Sequence, residues 1–80
     1  MDTRLIQDIP IGENLRIFRV RNGLSQEQAA ARLQLMGISV SREIISQMET
    51  GRHHVKISVL EAMKVLYRVE SYDEFFAGID

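Results

Sequence analysis

The chain has 80 residues, with 45% hydrophobic and 26% charged side chains, no cysteine and a single proline; that is room for one small core and no second one. The lack of cysteine excludes disulfides and thiolate metal sites and fits a reducing interior. No apolar run approaches the roughly 20 residues of a membrane span, and Met1-Asp2-Thr3-Arg4 lacks a signal peptide's apolar core, so a cytoplasmic protein is expected.

The first ten residues, ending at Pro10, read as an arm ahead of a domain over 11–80. Ile11, Leu15 and Phe18 fall at i, i+4 and i+7, which predicts a helix over about 11–22 that Gly23 ends in the left-handed conformation. Ser25 with Gln28 three residues on is a capping box and opens a second helix over about 26–36, with Ala29, Ala30, Leu33 and Met36 facing in. After Gly37 and the link Ile38-Ser39-Val40, Ser41 can cap a third helix over about 42–49 that stops at Gly51. A fourth helix is expected from Ser58, boxed by Glu61, burying Val59, Ala62, Met63, Leu66 and Tyr67. A fifth, short one is expected after Ser71, boxed by Glu74, with Phe75, Phe76 and Ile79 as apolar contacts. No strand alternation, hairpin turn or repeat is present, so the fold class is all-α.

The formal net charge of −1 conceals a gradient. Residues 12–56 carry seven basic side chains (Arg16, Arg19, Arg21, Arg32, Arg42, Arg52 and Lys56) against four acidic ones, while residues 57–80 carry two against five. Positive charge therefore gathers around the second and third helices, where it counts more for phosphate contact than the total does.

Two capped helices across a short connection have the form of a helix-turn-helix. The residues that carry this, Leu24-Ser25-Gln26-Glu27 and Ile45-Ser46-Gln47-Met48-Glu49-Thr50-Gly51, followed by a capped fourth helix and an aromatic-rich fifth, resemble the Cro/C1-type helix-turn-helix family of phage repressors and their bacterial relatives. The resemblance covers about residues 11–76. One departure is a longer connector, with the extra residues in Leu35-Met36-Gly37-Ile38-Ser39-Val40, which is similar to a subgroup of that family. The resemblance implies a compact five-helix, lambda-repressor-like domain that docks its third helix in the major groove of double-stranded DNA. It also implies that Arg42, Glu43, Ser46 and Gln47 face base edges, that the helix start at Gln26 holds a phosphate, and that Arg19 and Glu49 form a structural ion pair.

The chemistry of these residues allows the first role: arginine pairs with guanine, glutamine with adenine, and glutamate accepts from cytosine. Read from the residues alone, however, the same four are the solvated face of a short helix. Ser41, Arg52, His53 and Lys56 flank the third helix and are placed to meet the DNA backbone. His53 and His54 invite a metal reading, but adjacent side chains usually diverge and no third ligand sits at sensible spacing, so no metal or other cofactor is expected. Ile17 and Val20, surplus apolar residues of the first helix, are expected either to cover Leu5, Ile6 and Ile9 of the arm or to form a dimer contact; the last helix offers a second dimer face.

The expected function is a sequence-specific transcriptional regulator, a repressor that binds a roughly palindromic operator as a homodimer. The alternative is an antitoxin or another protein-interaction module on the same fold, with a toxin as partner. An enzyme is not expected, because the chain has no glycine-rich phosphate loop, no cysteine nucleophile and no evident paired carboxylates.

Overall fold

The computed structural model describes residues 11–78, so the arm over 1–10 and the expected contact from Ile79 lie outside the described residues. Four α-helices follow in order: α1 (Gly12–Arg21), α2 (Gln26–Leu35), α3 (Arg42–Glu49) and α4 (Ile57–Leu66). A 3-10 turn over Tyr72–Phe76 takes the place of the expected fifth helix. Its capping box forms, with Ser71 Oγ accepting from the Asp73 N–H and Glu74 Oε2 accepting from the Ser71 N–H. The helix does not continue because the Phe75 and Ala77 carbonyls accept from the Asn14 side-chain amide, at 2.8 and 2.9 Å, instead of from a following turn.

The Ser25–Gln28 box is reciprocal: the Gln28 N–H donates to Ser25 Oγ at 3.0 Å, and the Ser25 N–H donates to Gln28 Oε1 at 2.9 Å. At α4 the expectation fails. The helix begins at Ile57, Lys56 is its cap residue without a side-chain bond, and Ser58 is already its second residue. Val55, 2% exposed, anchors the approach, and the Lys56 carbonyl accepts from both Val59 and Leu60. Packing therefore sets this boundary and overrides the local Ser58–Glu61 signal.

All four helices stop in one way. The N–H two residues past each cap reaches back into the last turn: Leu24 to Arg19, Ile38 to Leu33, Arg52 to Gln47 and Val69 to Lys64, at 2.7–3.2 Å. The residue before that donor must be left-handed. Gly23, Gly37 and Gly51 serve three of the helices, but Arg68 stands in the fourth, at φ 57°, a conformation that costs an L side chain about 1–2 kcal/mol. At the end of α2, Met36 becomes the cap and is 42% exposed, contrary to the expected inward face. Ile38 packs against the core in its place.

Ile11, at the cap of α1, and Leu15 and Phe18 within it meet Ala29, Ala30 and Leu33 of α2, Ile45 and Met48 of α3, and Val59, Leu60, Met63 and Tyr67 of the α4 region in one core. Phe75 closes it, edge-on to Phe18 at 5.6 Å between ring centres. Gly12 marks the tightest approach. A Cβ there would fall 2.7 Å from the Met48 carbonyl oxygen and closer still to that of Glu49, so only glycine lets the start of α1 lie against the end of α3. That contact and the α2 contact fix how α3 is carried.

Candidate nucleic-acid interface

α3 has two unlike faces. Ile45, Met48 and Glu49, at i, i+3 and i+4, are buried. Arg42 and Glu43, in the first turn, are exposed, and Ser46 and Gln47 are half-buried beside them. Ser41 starts the helix, its Oγ accepting from the Ile44 N–H at 3.2 Å. Arg42 and Glu43 approach one another only loosely, at 3.7 Å, with side chains 53% and 68% exposed. Among the described residues the side chains of Ser46 and Gln47 make no hydrogen bond. These four polar side chains thus stand on one open surface, uncommitted to the rest of the protein.

The opposite end of α3 is locked. Arg19 Nε donates to Glu49 Oε2 at 2.7 Å and Nη2 donates to Oε1 at 3.0 Å, a bidentate fork. The carboxylate is 3% exposed, so the charges meet in a region of low dielectric. The Glu49 hydrogen bond pushes the arginine further above its ordinary value, against the opposing effect of burial. The third N–H direction of Arg19 is used as well, Nη1 donating to the Leu24 carbonyl at 2.8 Å. Gln26 then adds a bond the sequence did not announce: Nε2 donates to Glu49 Oε1 at 3.1 Å. One buried carboxylate therefore gathers the end of α1, the start of α2 and the end of α3. The Tyr67 hydroxyl is buried near this cluster with no hydrogen-bond partner among the described residues, and burial pushes its pKa well up.

Beyond α3, Thr50 Oγ1 donates back to the Ser46 carbonyl at 2.9 Å, and exposed Arg52 and Lys56 bracket the histidines. The two imidazoles do not diverge as expected. They stack at 5.1 Å with 21° between planes, because they lie in a turn and not on a helix. His53 Nδ1 lies 2.7 Å from the His54 carbonyl oxygen. Among the described residues no group of three His, Cys, Asp or Glu side chains comes together. A half-open groove of about 360 Å³ runs beside α3, floored by Ile38, Val40, Ile44 and Met48 with Lys56 at its rim.

The structure thus places Arg42, Glu43, Ser46 and Gln47 together on the open side of α3, with Ser41 before them and Arg52, His53 and Lys56 after them. It turns the Gln26 side chain inward to Glu49, and the Gln28 N–H at the start of α2 is taken by Ser25 Oγ. Four supporting residues escaped sequence reading: Gln26 in its bond to Glu49, Gly12, Asn14, and Asn22, whose amide donates to the Phe18 and Tyr67 carbonyls. Of these only Gly12 left a signal, a glycine inside the first turn of a helical stripe.

Two capped helices, the second presenting an open polar face and braced from behind, define a helix-turn-helix module, a class that binds DNA. Residues 10–75 match the family model described as "Helix-turn-helix domain", and the chain belongs to that family. No curated protein matches the chain. No solved structure matches it either.

Proposed function

We propose that this protein is a sequence-specific DNA-binding regulator of Cro/C1 type, a repressor acting in the bacterial or phage-infected cytoplasm, and that it docks α3 in the major groove. The observation that carries this reading is the open face of α3. Four hydrogen-bonding side chains without firm partners sit on a helix whose other face is immobilised by the core and by the Arg19–Glu49–Gln26 cluster. A reading head of this kind keeps its donors and acceptors for bases and spends little conformational entropy when it docks. Arg42 and Gln47 suit guanine and adenine. Glu43 accepts from cytosine and repels sequences that lack a donor there. The N–H groups at the start of α2 hold one phosphate, and Ser41, Arg52, His53 and Lys56 hold the flanking backbone. A homodimer with its two α3 helices about 34 Å apart would read a roughly palindromic operator. In this reading the module needs no cofactor and performs no catalysis.

The test is fluorescence anisotropy with the DNA upstream of the protein's own gene, titrated against salt and a scrambled competitor. Tight binding that survives competitor and falls about 5–100-fold for Arg42→Ala or Gln47→Ala is the expected outcome. Binding that disappears with salt equally for both DNAs would reduce the interaction to phosphate attraction. The reading would then pass to a protein-interaction module, with a toxin encoded next door as the first partner to try.

A further inference from the structure

A second basic feature lies away from α3. Arg21 at the end of α1, Arg32 on α2 and Arg68 after α4 converge on a polar hollow of about 360 Å³, with Asn22, Leu24 and Leu66 completing its lining. No acidic side chain is among these lining residues. Among the described residues the side chains of Arg32 and Arg68 make no hydrogen bond or ion pair, and the Arg21 guanidinium lies 5.2 Å over the Phe18 ring. Both N–H groups of the Asn22 amide are committed to the Phe18 and Tyr67 carbonyls, so Asn22 holds the wall in place.

Two independent observations bear on this hollow. Three arginine side chains drawn from three separate elements line it with no carboxylate among the lining residues, a local excess of positive charge that attracts anions. Arg68 also occupies the left-handed position that glycine fills at the other three helix ends; an arginine kept there against the local backbone preference points to work done by its side chain. The hollow is distinct from the face described above. Arg32 lies about 160° round α2 from Gln34 and about 120° from Gln26, at 100° per residue, and those two side chains face the connector and α3.

We infer that the hollow binds a multiply charged oxyanion of the di- or triphosphate class. Three guanidinium forks match several phosphate oxygens at once, whereas a monoanion would leave two charges uncompensated. No aromatic ring lines the hollow, so there is no platform for a nucleobase and the phosphate chain alone is recognised.

The experiment is calorimetric titration and thermal melting with inorganic pyrophosphate, then with a nucleoside diphosphate, both at fixed low ionic strength. Pyrophosphate is expected to raise the melting midpoint of the natural protein, and the nucleoside diphosphate is expected to match it. Arg68→Gly supplies the favoured residue at its helix end, so it melts higher than the natural protein yet loses the pyrophosphate-induced rise. Arg32→Gln binds at least about tenfold more weakly and keeps its DNA affinity. Equal midpoint shifts in all three proteins, or no shift in the natural one, would overturn the assignment. Binding of a glutamate-rich peptide in place of pyrophosphate would overturn it in favour of a protein partner. A loss of DNA affinity in Arg32→Gln equal to that of Arg42→Ala would return the hollow to the DNA interface.

Discussion

α3 carries an arginine–glutamate pair at each end, and the two could hardly differ more. At its C-terminal end Glu49 meets Arg19 through two bonds of 2.7 and 3.0 Å, buried and joined by Gln26. At its N-terminal end Arg42 and Glu43 stand 3.7 Å apart in solvent. The residue types are the same; burial and bond count separate them. A buried bidentate pair whose partners come from different helices has one geometry and acts as architecture. An exposed pair of neighbours is screened, pays side-chain entropy and separates at little cost when a better partner arrives. The helix is thus fixed at one end so that the other can present movable groups.

The largest break in this contrast comes from removing each carboxylate in turn. Glu49→Ala leaves Arg19 buried and unpaired and is expected to lower stability by about 3–5 kcal/mol, whereas Glu43→Ala should change it by less than about 0.5 kcal/mol. Urea denaturation of both variants decides this, and equal effects would erase the distinction. A smaller break acts through shape. Gly12→Ala pushes a methyl group into the Met48 and Glu49 carbonyls and should cost about 1–3 kcal/mol, while also loosening the locked end; the same denaturation series, with DNA affinity measured on the folded variant, shows whether the two losses travel together.

The finest probe is Tyr67. Its pKa is raised from an ordinary value of 10.0, chiefly by burial and then by the Glu49 charge. A raised folded value means that the unfolded chain releases its proton first. This contribution is therefore complete below about pH 10 and is lost as pH climbs towards the folded value, at up to about 1.4 kcal/mol per pH unit. Tyr67→Phe is expected to be about 1 kcal/mol more stable at pH 7, since a buried hydroxyl without a partner disappears, and to melt with less dependence on alkali. Parallel alkaline profiles for the two proteins would place the titrating group elsewhere.

Much of the fold was legible because its local signals agree with its packing. Ser25, Ser41 and Ser71 cap where their spacing says they should, and Gly23, Gly37 and Gly51 end helices. The failures fall where a distant contact decides. Ser58 lost its capping role to the burial of Val55 and Val59, and the last helix shrank to one 3-10 turn because Asn14, 61 residues away, takes its carbonyls. Met36 looked inward by helical period, but the chain had already left the helix. The open face of α3 was readable from its polar residues; the Gln26 bond to Glu49 was not, because nothing in a glutamine at a helix start tells which neighbour its amide will find. The arginine hollow was invisible for the same reason, its three residues being spread over 47 positions of sequence from Arg21 to Arg68.

The Asn14 clasp has a consequence for how this module can be rewired. By holding the carbonyls of Phe75 and Ala77 from the first helix, it makes the beginning and the end of the fold neighbours on one side of the molecule. A short linker could therefore join them, and new ends could be opened at an exposed turn such as Ser39. In such a circular permutant the clasp would become a local turn, no longer closing a loop of 61 residues, and the same domain should then assemble along a different folding route.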